Sequence, residues 1–132
     1  MVGSAVADDV SDYIAKANNL LGQANAINRM VRVFLSRVAS GVGVSRFECA
    51  QTFSEYGSQM NEIMKQWNAL SVPPVSKEYH ATMSSAFDHY TQGYGQMALG
   101  CLTDDKGMMS DAVQNVQTGN ALSKQASQML NK

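Results

Sequence analysis

The chain has 132 residues, of which 45% are hydrophobic and 16% are charged, and its formal net charge is −1. This length suits one domain with a single core, and the small net charge gives no electrostatic case for a nucleic acid or an anionic membrane as partner. No run approaches the roughly 20 apolar residues that a membrane-spanning helix needs, so we expect one domain over residues 1–132 without a transmembrane segment.

The first predicted helix covers residues 6–38. Its apolar side chains recur in steps of three and four, apart from one gap, which is the period of a helix with one buried face. The members of this face are Val10, Ile14, Ala17, Leu21, Ala24, Val31, Leu35 and Val38. Met30 and Val33 lie off this face, and surplus apolar surface usually marks a contact. We expect either that Val42 and Val44 fold back over it, or that a second copy covers it in a homodimer.

The second predicted helix begins at a capping box, Ser45 with Glu48 three residues later. Its apolar positions alternate steps of four and three without interruption, and Pro73 and Pro74 end it because proline lacks an amide donor and restricts the preceding residue. These positions are Cys49, Phe53, Tyr56, Met60, Ile63, Trp67 and Leu70.

Two further helices complete the predicted fold. Ser76 is the predicted N-cap of the third, whose buried face is Met83, Phe87, Tyr90, Tyr94, Met97 and Cys101. Asp104 and Asp105 separate it from the fourth helix, from about Lys106 to Leu130. The predicted apolar positions there are Met109, Ala112, Val113, Val116, Leu122, Ala126, Met129 and Leu130, interrupted by Gly119 and Ser123. Four amphipathic helices with short connections predict an all-α, up-down-up-down antiparallel four-helix bundle.

The sequence contains no recognisable catalytic set. Di-metal bundles use Glu-x-x-His motifs, which are absent, and Glu48, Glu55 and Glu62 each precede a buried position, which predicts a solvated stripe. His80 and His89 are nine residues apart on opposite sides of one helix, so they cannot share a metal ion, and His89 is expected to be exposed. We therefore predict a protein that is not an enzyme and has no metal or cofactor.

Aromatic side chains line the predicted interface of the second and third helices. The candidate core pocket consists of Tyr56, Trp67, His80, Tyr90 and Tyr94. Buried tyrosine hydroxyls need hydrogen-bond partners, which near-core asparagines can supply. Those asparagines are Asn28, Asn115 and Asn120. His80 is expected at the edge of the core near Trp67, with a ligand-binding or pH-sensing role as the alternative.

The two cysteines, Cys49 and Cys101, are predicted to form a disulfide. If the second and third helices run antiparallel about the Pro73–Pro74 turn, Cys49 lies level with Ala98, three residues or about 4.5 Å along the axis from Cys101. A modest adjustment of register brings the pair into disulfide range, which favours an oxidising, extracytoplasmic compartment. The alternative is two free, buried cysteines in a cytosolic core.

The stretch from Leu70 to Pro74, followed by Tyr79-His80, Ala86-Phe87, Tyr90 and Gly93, resembles a pattern in helical domains of bacterial and archaeal secreted proteins and lipoproteins. In those domains a proline-containing turn precedes a helix with an aromatic-x-x-Tyr-x-x-Gly core. The resemblance covers about half of the chain and implies an extracytoplasmic four-helix domain without catalytic residues. An N-terminal lipobox and a signal peptide are not visible in the sequence.

These observations favour a non-enzymatic, extracytoplasmic bundle that binds a partner protein or a small ligand. A sensory input domain of a membrane receptor is the alternative, since an even number of antiparallel helices brings both termini to one end. A metal or haem enzyme is a third possibility, which metal analysis or a Soret band would reveal.

Overall fold

A computed structural model describes the backbone of residues 2–41 and 43–130, and the side chains of residues 9–41 and 43–130. Four helices fill nearly all of it: α1 (Val2–Ala39), α2 (Arg46–Asn68), α3 (Lys77–Thr103) and α4 (Lys106–Met129), with a short 3₁₀ turn at Pro74–Ser76. Each helix runs antiparallel to the one before it in a four-helix bundle, as the sequence predicts. Within the described residues, no helix is long and apolar enough to span a membrane.

The buried face of α1 includes Ala17, Ala24 and Val31 as predicted, but it is rotated about the helix axis by roughly 50°, half of the step between successive residues. The buried positions, in unbroken steps of four and three, are Tyr13, Ala17, Leu20, Ala24, Ile27, Val31 and Phe34. Ile14, predicted to be buried, is 48% exposed. The aromatic side chains decide this rotation, because Tyr13 packs against Trp67 and Phe34 packs edge-on against Phe53, with ring centroids 6.3 and 5.2 Å apart.

The surplus apolar surface of α1 remains open to solvent. Met30 is 45% and Val33 is 67% exposed. Val44 packs against the core near Val38, so it does not cover these two side chains, and Val42 lies outside the described residues.

Helix α2 follows the predicted pattern closely. Ser45 accepts a hydrogen bond from the backbone N–H of Glu48, and Cys49, Phe53, Met60, Ile63 and Trp67 are buried. Ser76 occupies the N-cap position of α3, as predicted, but with φ −104° and ψ 4° its side chain makes no capping hydrogen bond. A side-chain cap usually needs a β-region backbone, whereas Ser76 ends the preceding 3₁₀ turn.

Cys49 and Cys101 lie at disulfide distance, with α-carbons 5.8 Å apart and a sequence separation of 52. The pair joins α2 to α3 at the end of the bundle opposite the Pro73–Pro74 turn. The predicted register left the two cysteines three residues apart along the helix axis. Apart from that small offset, the observed pairing confirms it.

Glycine residues allow α3 and α4 to approach each other closely. A Cβ atom at Gly93 would lie 2.8 Å from Cγ2 of Val116, and one at Gly119 would lie 2.7 Å from Cε1 of Tyr90. The sequence pattern treats Gly119 as an interruption of the apolar face, yet it is buried at the contact point. Leu130, predicted to be part of that face, is 62% exposed just beyond the helix.

Replacing Gly119 with alanine should destabilise the protein by about 1–3 kcal/mol, because the added methyl group collides with the ring of Tyr90 and with the carbonyl oxygen of Ala86. Gly22→Ala is the matched control. Gly22 is an exposed helical residue with nothing within 4 Å of the added carbon, so the change should stabilise the protein by about 0.5–1 kcal/mol. Urea denaturation of both variants checks the prediction, and two changes of the same sign would contradict it.

Candidate ligand-binding cleft

The five residues of the predicted core pocket do not form one pocket. Trp67 and His80 lie together near the Pro73–Pro74 end of the bundle, whereas Tyr90 and Tyr94 lie further along α3 and face α1 and α4. Tyr56 is half-buried and lines a shallow surface groove between α1 and α2. The five residues therefore lie in three separate places: Trp67 and His80 in an aromatic cluster, Tyr90 and Tyr94 in a polar cleft, and Tyr56 at the surface.

The aromatic cluster is closely packed. The rings of Trp67 and His80 are stacked, with centroids 4.7 Å apart and planes 4° from parallel, and Nε1–H of Trp67 donates to the backbone oxygen of His80 at 3.2 Å. Nδ1 of His80 and the hydroxyl of Tyr13 are hydrogen-bonded at 2.9 Å. Burial lowers the pKa of His80, so the imidazole is favoured in its neutral form. His80 thus lies at the edge of the core beside Trp67, as the sequence predicts.

The polar cleft lies between α1 and α4. Among the described residues, no α-carbon of α1 comes within 8 Å of an α-carbon of α4, while α4 packs tightly on α3. The resulting space has a volume of about 360 Å³ and is open to solvent on one side. Small-molecule sites usually measure roughly 300–1,000 Å³, so this cleft can admit a small ligand.

Two tyrosines form the floor of the cleft. The hydroxyl of Tyr90 donates to Oδ1 of Asn120 at 2.7 Å, and that of Tyr94 donates to Oδ1 of Asn28. The pairing of buried tyrosines with asparagines follows the sequence prediction for Asn28 and Asn120. Each phenol uses one acceptor site of a carbonyl oxygen, and the amide groups of Asn28 and Asn120 also contribute N–H donors to the lining of the cleft.

Both phenols remain protonated at neutral pH. Burial raises the pKa of Tyr90 to about 12, although hydrogen bonds from Ser123 and Asn28 and the charge of Arg32 oppose the rise. Burial also raises the pKa of Tyr94 well above its usual range, and Arg32 opposes that rise as well. The floor therefore carries no negative charge, and Arg32 lies near enough to influence both hydroxyls.

The walls of the cleft are cationic. Arg29 and Arg32 project from α1 three residues apart, on the same side of the helix, and Lys124 projects from α4. Within the described part of the chain, no acidic side chain lines the cleft, and none of the ion pairs involves these three cations. Asn25, Ser123 and Ser127 supply further polar groups. Such a lining can hold a small molecule through hydrogen bonds and charge.

Asn115 does not contribute to the cleft. Its Oδ1 is hydrogen-bonded to Nδ1 of His89 at 3.0 Å, and its Nδ2 donates to Oε1 of Gln96 at 2.7 Å. The prediction of an exposed His89 is wrong, because this contact between α3 and α4 makes the imidazole half-buried. In contrast, Glu48, Glu55 and Glu62 are all exposed, in agreement with the predicted solvated stripe.

A larger cavity of about 530 Å³ lies at the disulfide end of the bundle and includes Cys49 and Cys101 in its lining. Its charged groups are mixed in sign, and Arg46 is already paired with Asp104 at 3.3 Å. Residue 42, next to this lining, lies outside the described part of the chain. The cavity therefore presents no set of uncompensated charges comparable to the cleft.

The cationic walls were not predicted, although the sequence contains a signal for them. Residues 13–47 include Lys16, Arg29, Arg32, Arg37 and Arg46 but no Asp or Glu, and no acidic residue follows Asp111.

A second missed feature is an exposed apolar patch on α2 and α3, formed by Phe47, Leu99 and Leu102.

Comparison of the chain with protein-family models, with curated proteins and with solved structures finds no match.

Proposed function

We propose that this protein is a non-enzymatic, extracytoplasmic binding domain that holds a small ligand in the cleft between α1 and α4. The observation that carries the proposal is the cleft itself: two helices held apart above a polar floor, with Tyr90 and Tyr94 fixed by Asn120 and Asn28. A convergent set of polar groups in a concavity of this size is the usual form of a small-molecule site.

The extracytoplasmic part of the proposal is supported by Cys49 and Cys101. Disulfides persist in oxidising compartments and are rare in the cytosol. The resemblance of the segment from Leu70 to Gly93 to secreted helical domains supports the same location.

Blocking the cleft tests the site. Ser127 is an exposed residue of the cleft wall, so Ser127→Trp should fill the cleft without disturbing the core. Ser110→Trp is the matched control, since Ser110 is an exposed residue of α4 outside the cleft. Thermal denaturation with neutral, cationic and anionic metabolites should identify compounds that raise the Tm of the wild type and of Ser110→Trp, but not that of Ser127→Trp.

Equal shifts in the two tryptophan variants would contradict the site, and the absence of any stabilising compound would contradict small-ligand binding in those chemical classes. Bound compounds should be recovered unchanged in mass. A converted product would overturn the non-enzymatic part of the proposal.

A sensory input domain of a membrane receptor is the second candidate, favoured by the positions of the two ends of the chain. Tyr13 of α1 contacts His80, and Thr82 approaches Met129 of α4 through a 4.0 Å contact between its Oγ1 and the sulfur. The N-terminal part of α1 and the C-terminal part of α4 therefore lie at the same end of the bundle. Transmembrane segments encoded on both sides of residues 1–132 would support this candidate.

The exposed Met30 and Val33 support a homodimer as a further proposal. They border the shallow groove that includes Phe34 and Tyr56, which a second copy would cover. Light scattering should then give twice the monomer mass of 14.3 kDa. If light scattering gives the monomer mass for both the wild type and Val33→Asp, the homodimer proposal is wrong.

A further inference from the structure

We propose that the ligand of the α1–α4 cleft is a small dianion, either a dicarboxylate or a phosphate monoester, an assignment that rests on the proposed function. The first support is the sign of the lining: Arg29 and Arg32 on one wall face Lys124 on the other, and no carboxylate of the described residues lines the space between them.

Among the described residues, the cleft cations have no ion-pair partner. Three other basic side chains are paired, Lys16 with Asp12, Arg37 with Glu48 and Arg46 with Asp104, at 3.0 to 4.0 Å, whereas Lys65, Lys77 and Lys106 are unpaired within the same residues, like the cations of the cleft. None of the three cleft cations takes part in an ion pair among the described residues. An anion entering the cleft would therefore meet charges that need no rearrangement of existing pairs before they bind it.

The positive charge of the cleft follows from where acidic residues occur along the chain. Acidic residues lie in the first turns of α1, in α2 and α3, and in the connection to α4 with its first turns. The half of α1 and the half of α4 that border the cleft have none: no acid occurs in residues 13–47 or after Asp111. The molecule as a whole has a net charge of −1, so the excess of basic residues at the cleft is not a property of the whole chain.

The cationic groups of the cleft are all donors, because arginine and lysine side chains only donate. The NH₂ groups of Asn28 and Asn120 are further donors, while Asn25, Ser123 and Ser127 can also accept. Carboxylate and phosphate oxygens accept charge-assisted hydrogen bonds from Arg29, Arg32 and Lys124, which are stronger than those that the hydroxyl groups of a neutral polyol would accept.

Because both walls of the cleft carry cations, a ligand with two negative charges should bind more tightly than a ligand with one. Arg29 and Arg32 together can make several N–H···O bonds to one oxygen-rich group, while Lys124 provides a single charge on the opposite side. A monocarboxylate can neutralise only one wall, whereas a dicarboxylate or a doubly charged phosphate can contact both.

Calorimetric titrations with succinate, inorganic phosphate, acetate and succinamide test the assignment. Succinamide is the uncharged analogue of succinate and has a similar shape. We expect succinate or phosphate to bind at least about tenfold more tightly than acetate, a difference of about 1.4 kcal/mol, and succinamide not to bind. Raising NaCl from about 50 to about 500 mM should weaken binding, because the cleft is open to solvent. If succinate binds more tightly than phosphate, the ligand is a dicarboxylate; if phosphate binds more tightly, the ligand is a phosphate monoester.

Charge-removing variants locate the binding. Arg32→Gln and Lys124→Gln should each weaken the affinity by about tenfold, since each removes a charge-assisted contact. Their matched controls, Arg37→Gln and Lys65→Gln, remove the same charges outside the cleft and should change the affinity by less than about twofold. All four side chains are exposed, so the fold should tolerate each change.

Binding of succinamide as tight as that of succinate, equal losses in the cleft and control variants, or no binding of either dianion would overturn the assignment. The proposed function is judged separately by the tryptophan variants. If a neutral compound stabilises Ser110→Trp but not Ser127→Trp, the cleft is a ligand site and only its assignment to dianions is wrong.

Discussion

Trp67→Ala is expected to lower the free energy of unfolding by about 3–5 kcal/mol, the usual effect of truncating a fully buried aromatic side chain. The indole is 0% exposed. It stacks on His80, meets Tyr79 and Phe87 edge-on, and contacts Tyr13, so it joins α1, α2 and α3. Truncation removes all of these contacts and the hydrogen bond of the indole N–H.

Two variants on the same helix serve as controls. Phe47→Ala removes an aromatic ring that is 78% exposed, and Glu55→Ala removes an exposed charge from the solvated stripe. Each should change stability by less than about 0.5 kcal/mol. Urea denaturation measures all three, and comparable losses for Trp67→Ala and Glu55→Ala would contradict the inward and outward faces of α2.

Reduction of the Cys49–Cys101 disulfide should also have a large effect, on the order of 4 kcal/mol. In the chain-entropy model, a link across 52 residues restricts the unfolded chain by about this amount. Because domains of this size are stable by only about 5–15 kcal/mol, the Tm should fall by roughly 10 °C or more.

Differential scanning calorimetry with and without a phosphine reductant checks this expectation. The double variant Cys49→Ala, Cys101→Ala should melt near the reduced wild type and should not respond to the reductant. Thiol titration of the unreduced, denatured protein should find no free thiol. Two free thiols would contradict the disulfide and would remove the main support for an extracytoplasmic location.

The sequence predicts α2 well because only one face of this helix is apolar. From Cys49 to Trp67 a single series of positions has the helical period, and those positions are buried. In α1, two adjacent series satisfy the same period, one containing Ile14 and the other containing Tyr13 and Phe34. Periodicity cannot choose between them, because the choice depends on aromatic partners on other helices.

The candidate site was predicted in part. Buried tyrosines need partners, which pointed to Asn28, Asn115 and Asn120, and two of these three do accept from the tyrosines, Asn28 from Tyr94 and Asn120 from Tyr90. Grouping His80 with Tyr94 in one pocket was wrong, since 14 residues of helix separate them by about 21 Å along its axis. The cationic cleft was missed because its walls come from the first and last helices, and their separation depends on how closely α4 packs on α3.

That close packing makes the width of the cleft a property of residues that a ligand never touches. Gly93 and Gly119 allow α4 to lie close against α3, and in this position no α-carbon of its described residues comes within 8 Å of an α-carbon of α1. The width of the cleft thus depends on the α3–α4 contact, where Gly93 and Gly119 have no side chains. In a set of related sequences, glycine at these two positions would mark the chains that retain an open cleft, before any ligand had been identified for one of them.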